Sequence, residues 1–134
     1  MFCIRFTKQE GCDITASPRE LRLVGETITR LASFGGGSHS FSAEVSVSPK
    51  PYDQLLSFLT INVTTGPVCA RVELDTLSIS AGPEFLIPFA SFFNFDDETP
   101  SGHHVHHEYW EGNTYITPNS TPMVIGIDSG IHGA

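Results

Sequence analysis

Positive charge is scarce in this sequence: seven Lys and Arg stand against fifteen Asp and Glu, for a formal net charge of −8. A nucleic-acid-binding protein needs clustered cations to displace the counterions of the phosphates. The sequence has no such cluster, so nucleic acid is not an expected partner. An acidic surface either keeps a protein dissolved or steers it toward a basic partner, and net charge alone leaves both interpretations open.

Cysteine is also scarce, and Cys3, Cys12 and Cys69 form no Cys-x-x-Cys pair. Scattered cysteines in odd number are typical of a reducing compartment, where Cys behaves as a small buried hydrophobe. No apolar run reaches the roughly 18 residues that a membrane span requires. The first residues lack the basic start and apolar run of a secretory signal. These features predict a cytoplasmic protein that does not contact a membrane.

The length of 134 residues and the apolar fraction of 40% are those of one globular domain, so residues 1–134 are predicted to form a single domain. The clearest local signal is Ser17-Pro18-Arg19-Glu20, a capping box with proline at the first helical position. Gly35-Gly36-Gly37 ends this helix. A second helix is predicted to begin at Pro83. The apolar residues predicted to face the core from these two helices are Leu21, Val24, Ile28, Phe85, Leu86 and Phe89.

Alternation of apolar and polar residues predicts strands around the two helices. The predicted strands are 2–7, 13–16, 40–48, 55–64, 68–80 (one long strand or a hairpin), 103–110 and 122–127. Together the elements predict an α+β fold in which two helices cover one face of an antiparallel sheet. The other face would then be open to solvent or to a partner.

The two helix entrances resemble each other. Residues 14–21 and 79–86 share Ile, Ala, Pro and Leu at a constant offset, and the same offset places Gly37-Ser38-His39 on Gly102-His103-His104. This suggests an internal duplication of a strand–strand–helix–strand unit, with halves 1–65 and 66–134. Chance similarity of two helix caps is the alternative.

Four histidines and an acid, His103, His104, His106, His107 and Glu108, form the most conspicuous cluster. On a strand, His104, His106 and Glu108 would point to one face and His103 and His107 to the other. A His-x-His pair on one face can chelate zinc, iron or copper, with Glu108 or Glu111 completing the site. Histidines beside aromatic residues also pack in a core or line a recognition surface. We expect no metal or other cofactor and place a binding surface here.

The segment that follows combines the only Trp with two Tyr and two acids, which is the composition of an interface anchor. The residues predicted to bind a partner are His104, His106, Glu108, Tyr109, Trp110, Glu111 and Tyr115. A purely structural role for Tyr109 and Trp110, which would pin a hairpin to the sheet, is the alternative. No phosphate-binding loop, nucleophile elbow or activated cysteine is present, and no catalytic residue is predicted.

Residues 103–109 and 115–125 resemble the end of the immunity protein 32 family, in which a histidine-rich strand ending in an aromatic residue precedes a Ser-x-Pro-Leu-Val-like strand. Met123 stands where the family pattern has Leu. The resemblance implies a small cytosolic protein of a bacterial polymorphic toxin system that binds a cognate toxin domain and blocks it without catalysis.

The leading hypothesis is therefore an immunity-type protein, monomeric or homodimeric, that contacts its toxin through the His103–Tyr115 segment. One alternative is a small metal-dependent enzyme that uses the cluster from His103 to Glu108. Another is an assembly domain whose open sheet self-associates.

Overall fold

The computed structural model describes residues 2–128; Met1 and residues 129–134, the two ends of the predicted domain, lie outside the described residues. Within residues 2–128 the chain forms nine strands, two α-helices and one short 3-10 helix, so the predicted α+β class is confirmed. The elements in chain order are β1 (Cys3–Thr7), β2 (Gly11–Ala16), α1 (Pro18–Phe34), β3 (Ser38–Ser42), β4 (Gln54–Leu56), β5 (Phe58–Val63), β6 (Cys69–Glu73), β7 (Thr76–Ala81), α2 (Pro83–Ala90), the 3-10 helix (Ser91–Phe93), β8 (His104–His107) and β9 (Met123–Ile127).

The strands form two mixed sheets and not the single antiparallel sheet that the sequence predicted. Their orders are β4-β1-β2-β9-β8 and β3-β5-β7-β6. In the first sheet β2 runs parallel to β9, and in the second β5 runs parallel to β7. Alternation identifies a strand but not its partner. Ile14 pairs with Ile125 near the other end of the chain, a pairing that no local pattern could reveal.

Both sheets and both helices contribute to one hydrophobic cluster. Cys12, Ile14 and Ala16 of β2 are buried alternately, and Leu77, Ile79 and Ala81 of β7 repeat the pattern. This period of two places one face of each sheet in the core and leaves the polar residues on the other face. Neither helix of the described part of the chain has the length and apolar content needed to cross a membrane.

The two helices begin where the sequence predicted them, at Pro18 and Pro83. Ser17 Oγ accepts a hydrogen bond from the Glu20 amide (3.2 Å), and the Ser17 amide donates to Glu20 Oε1 (3.3 Å), so the capping box is confirmed. Gly35 ends α1 in the left-handed conformation (φ 77°) that favours glycine. Helix α2 has no side-chain cap and ends after eight residues, just past its internal Pro88.

One predicted strand is too long, and one residue that was placed in the core is only partly buried. The strand predicted over 40–48 ends at Ser42, and Val45 beyond it is 55% exposed. The chain leaves the sheet there because β5, its antiparallel partner, begins at Phe58 opposite Ser42. Phe85 is only partly buried, because it lies at the edge of the core against Tyr115 (ring centroids 5.9 Å apart). The other five predicted helix core residues are buried.

The two halves of the chain place equivalent elements at a constant spacing. The starts of β2 and β7, of α1 and α2, and of β5 and β9 are each separated by 65 residues (Gly11 and Thr76, Pro18 and Pro83, Phe58 and Met123). In each sheet, the parallel pair joins a strand of the first half to a strand of the second half. Duplication of a ββαβ unit stays a proposal, which these spacings support.

Gly25 lies where α1 packs on α2. An added Cβ would lie 3.0 Å from the Ala90 carbonyl oxygen and 3.2 Å from Phe93 Cβ. Helix propensity favours Ala over Gly by about 1 kcal/mol. The Ala90 carbonyl group, however, belongs to the backbone of α2 and cannot easily move away from an added methyl group. We therefore expect Gly25→Ala to lower the free energy of unfolding by about 1 kcal/mol, because the overpacking outweighs the propensity gain. Urea denaturation measures this, with Ser33→Ala at an exposed position of α1 as control. A stabilised Gly25→Ala variant would show that the two helices separate easily.

Candidate functional site

Strand β8 presents its histidines on both faces of the five-stranded sheet. Val105 and His107 pair with Ile125 and Met123, whose side chains are buried, and so point into the core. His104 and His106 point to the opposite, solvent-exposed face. The structure thus confirms the prediction that His104 and His106 lie on one face of the strand and His107 on the other. This arrangement follows from the two-residue period of a strand.

On the exposed face, a row of paired residues crosses adjacent strands: His106 pairs with Val124, Val124 with Asp13, and Asp13 with Arg5. Burial raises the pKa of the Asp13 carboxyl, and the charges of Arg5 and His104 partly oppose that shift. Arg5 donates through Nε to the Ser48 carbonyl oxygen (3.1 Å). The pairing of the strands keeps these residues side by side. His106 lies at the outer end of the row, with His104 beside it on the same face of β8.

The metal-enzyme alternative requires that several side chains of the histidine cluster lie close enough to hold one metal ion. The rings of His104 and His106 meet edge to face with centroids 5.1 Å apart, and His104 Nδ1 lies 3.0 Å from the Gly102 carbonyl oxygen. His103 instead packs on Phe95, with ring centroids 6.0 Å apart. Across residues 2–128, no group of three or more His, Cys, Asp or Glu side chains is placed to hold a metal ion. The cluster that is continuous in sequence is thus divided in space.

A double substitution of His104 and His106 by Gln tests the metal alternative. Both side chains are exposed, so we expect the melting temperature of the wild type and of the variant to be unchanged by a chelator or by added zinc. A resident metal would instead stabilise the wild type by mass action and lose that effect in the variant. A rise in melting temperature with zinc in the wild type alone would contradict the expectation.

His107 is the buried member of the cluster, at 2% exposure. Its ring lies between Phe89 and Phe92, with centroid distances of 4.9 and 4.8 Å and nearly perpendicular planes. Its Nδ1 atom is buried and has no hydrogen-bond partner among residues 2–128. Burial lowers the pKa of His107 to about 4, because the apolar surroundings disfavour the charged ring. His107 is therefore neutral at pH 7, and it carries an unused hydrogen-bonding atom.

The chain after β8 is a loop and not the predicted continuation of the strand to Trp110. Pairing ends at His107 opposite Met123, because Pro122 precedes Met123 and has no amide proton to donate. The loop turns at Gly112 (φ 92°), where the Asn113 amide donates to the Trp110 carbonyl oxygen (2.9 Å). It then reaches the other sheet, where the Val68 amide donates to the Tyr115 carbonyl oxygen (2.8 Å). The His103–Tyr115 segment is therefore a strand followed by a bridge between the two sheets.

This bridge and helix α2 enclose a cleft of about 500 Å³. Apolar and aromatic side chains line it together with a few polar ones, the composition typical of a recognition site. The residues from α2 and the 3-10 helix are Phe85, Pro88, Ser91 and Phe92, and those from β8 and the bridge are His106, His107, Glu108, Trp110, Gly112, Asn113, Thr114, Tyr115 and Ile116.

The cleft brings together four of the seven residues predicted to bind a partner, His106, Glu108, Trp110 and Tyr115. His104, Tyr109 and Glu111 do not line it. Trp110 is 65% exposed and Tyr115 is 54% exposed, so both rings are accessible to a partner, whereas Tyr109 is half-buried. Large exposed aromatic side chains beside an apolar cleft are typical of binding sites.

The prediction from sequence missed the helical wall of the cleft and His107 behind it. One signal was present: Phe85, Pro88 and Phe92 follow a helical spacing of three and four residues, while Leu86, Phe89 and Phe93 form a second apolar stripe. A helix that is apolar nearly all round is usually buried on all sides. The second stripe packs in the core and the first lines the cleft, so the excess of apolar residues indicated a second apolar surface on this helical segment.

Comparison with models of protein families gives a match to part of the chain. The model of the family described as immunity protein 32 matches residues 76–127, from the first residue of β7 to the last residue of β9. The resemblance seen in the sequence is confirmed for this segment, which contains every residue that lines the cleft. No curated protein and no solved structure matches the chain.

Proposed function

Because residues 76–127 match the immunity protein 32 family, we propose that this chain is a bacterial immunity protein that binds a cognate toxin domain in the cytoplasm and neutralises it without catalysis. The observation that supports this most directly is the cleft, which lies wholly inside the matched segment and is flanked by the exposed rings of Trp110 and Tyr115. Exposed aromatic side chains beside an apolar cleft are the usual anchors of a protein interface.

Inhibition by occlusion needs only affinity and a surface that covers the active site of the toxin. The bridge from Glu108 to Tyr115 is suited to this, because it connects the two sheets through backbone hydrogen bonds and so presents its side chains from a fixed base. A pre-ordered loop loses little conformational entropy when it binds. Of the seven predicted contact residues, we propose that His106, Glu108, Trp110 and Tyr115 lie at the centre of the interface and that His104, Tyr109 and Glu111 lie at its rim.

The proposal is tested with a toxin domain encoded in a neighbouring reading frame. Co-expression of this chain should restore the growth of cells that produce the toxin domain, and titration calorimetry should show a stoichiometric complex. We expect the double variant Trp110→Ala/Tyr115→Ala to weaken the complex at least about 100-fold, because two central aromatic anchors each contribute about 2 kcal/mol or more.

The matched control is Phe34→Ala, which removes an aromatic side chain that is 84% exposed at the end of α1 and does not line the cleft. It should protect cells and bind the toxin like the wild type. Equal weakening by the control and the double variant would place the interface elsewhere, and no complex with any neighbouring toxin domain would refute the immunity function.

A further inference from the structure

Charge is distributed very unevenly along the chain. Residues 1–71 hold all seven Lys and Arg and six acids, so their net charge is +1, whereas residues 72–134 hold nine acids and no Lys or Arg, for a net charge of −9. The two parts together give the −8 of the whole chain. The cleft is built entirely from the acidic part. Its own lining therefore contains no Lys or Arg, and Glu108 supplies a carboxylate.

The walls of the cleft suit a long side chain that is apolar along its stem and cationic at its tip. Phe85, Pro88 and Phe92 line the cleft from the helical side, and Trp110 and Tyr115 line it from the bridge, where the Tyr115 ring contacts Phe85 edge to face. Aromatic faces attract cations, most strongly those of Trp. Glu108 is exposed at the same cleft, and Glu111 follows it in the bridge.

We infer that the cleft receives an arginine side chain from a basic surface of the protein partner, with the guanidinium group against Trp110 and beside the Glu108 carboxylate. This inference rests on the proposed function and specifies the chemistry of the partner. Arginine fits better than lysine, because its planar, weakly hydrated guanidinium group stacks on aromatic rings and pairs with a carboxylate at the same time. His107 behind the wall is neutral at pH 7, so it does not repel the incoming cation.

Trp110 is the only tryptophan of the chain, so its fluorescence reports directly on the cleft. The probes are N-acetyl-arginine N-methylamide, the citrulline amide of nearly equal shape without charge, and the leucine amide, all titrated at fixed ionic strength. We expect a saturable change with the arginine probe and an affinity about three- to tenfold higher than that of the citrulline probe, the range of one cation–π contact with a partly exposed ion pair. Glu108→Gln should lower this preference, because it removes the ion pair and leaves only the cation–π contact.

The matched control is Glu98→Gln, which removes an exposed acid from the loop after the 3-10 helix, away from the cleft lining. It should leave the preference unchanged, and circular dichroism should show both variants folded. Equal affinity for arginine and citrulline probes, tighter binding of the leucine probe, or no saturable change would each overturn the arginine site.

The complex with the toxin domain separates this inference from the proposed function. If the toxin is bound and Glu108→Gln weakens the complex about threefold or more while Glu98→Gln does not, the arginine site is supported. If the toxin is bound with the same affinity by the wild type and by Glu108→Gln, the arginine site is refuted and the immunity function stands. If the arginine probe binds but no toxin domain does, the function fails and the chemistry of the cleft stands.

Discussion

Replacing Phe89 by Ala should lower the free energy of unfolding by about 3–5 kcal/mol. The Phe89 side chain is 1% exposed and packs edge to face on Phe93, with ring centroids 5.4 Å apart. Truncation removes this buried ring and leaves a cavity between α2 and the sheets that cannot collapse fully. A domain of this size has about 5–15 kcal/mol of stability in total, so the variant should be near its unfolding threshold. Urea denaturation followed by circular dichroism measures the loss.

The matched control for Phe89→Ala is again Phe34→Ala, which deletes the same atoms from an exposed position and should change stability by less than about 0.5 kcal/mol. Phe89 also forms one side of the His107 environment. Its removal should admit water and move the pKa of His107 back toward the ordinary value, which nuclear magnetic resonance of the imidazole protons can follow. A loss of stability below about 1 kcal/mol would mean that α2 does not pack on the core through this side chain.

Local chemistry determined what could be predicted from the sequence. The capping box at Ser17, the prolines at 18 and 83 and the glycine stop at 35 act through neighbouring residues, and all appear at the predicted positions. The strands β1 and β2 were also identified, because local patterns of apolar and polar residues predicted strands over 2–7 and 13–16. Such signals depend on periods of 2 and 3.6 residues and on caps, which a sequence displays directly.

Pairing between distant strands could not be predicted in this way. The parallel pairs of β2 with β9 and of β5 with β7 divide the strands into two sheets, and each pair joins segments whose own patterns are equally compatible with an antiparallel neighbour. The same limit applies to the cleft. Glu108 and Trp110 were identified by composition, but their place in one cleft with Phe85 and Phe92 depends on the chain reaching Val68, just before β6, where the Thr117 amide donates to the Val68 carbonyl oxygen (2.9 Å).

The stability of the protein should fall steeply between about pH 6.5 and pH 4 because of His107. In the unfolded chain the His107 ring takes up a proton near its ordinary pKa of 6.5, whereas in the folded protein burial lowers that pKa to about 4. The unfolded state therefore binds more protons in this interval, and folding loses free energy as the pH falls. Above about pH 7 this proton uptake leaves the free energy of unfolding unchanged. By pH 4 it should have lowered the free energy of unfolding by about 3 kcal/mol.

The variant His107→Leu isolates this contribution, because Leu fills a similar volume and does not titrate. Other groups also weaken the fold in acid, among them Glu20, whose pKa is lowered by its capping hydrogen bonds although burial opposes that shift. The measurement is therefore the difference between wild type and variant in urea denaturation at a series of pH values.

At pH 7 the variant should be as stable as the wild type or more stable, because the unpartnered Nδ1 atom costs the wild type about 1–3 kcal/mol. Its advantage should then grow by about 3 kcal/mol toward pH 4, whereas His106→Gln on the exposed face should follow the wild type. Parallel curves for wild type and His107→Leu would show that the His107 ring takes up a proton as readily in the folded protein as in the unfolded chain.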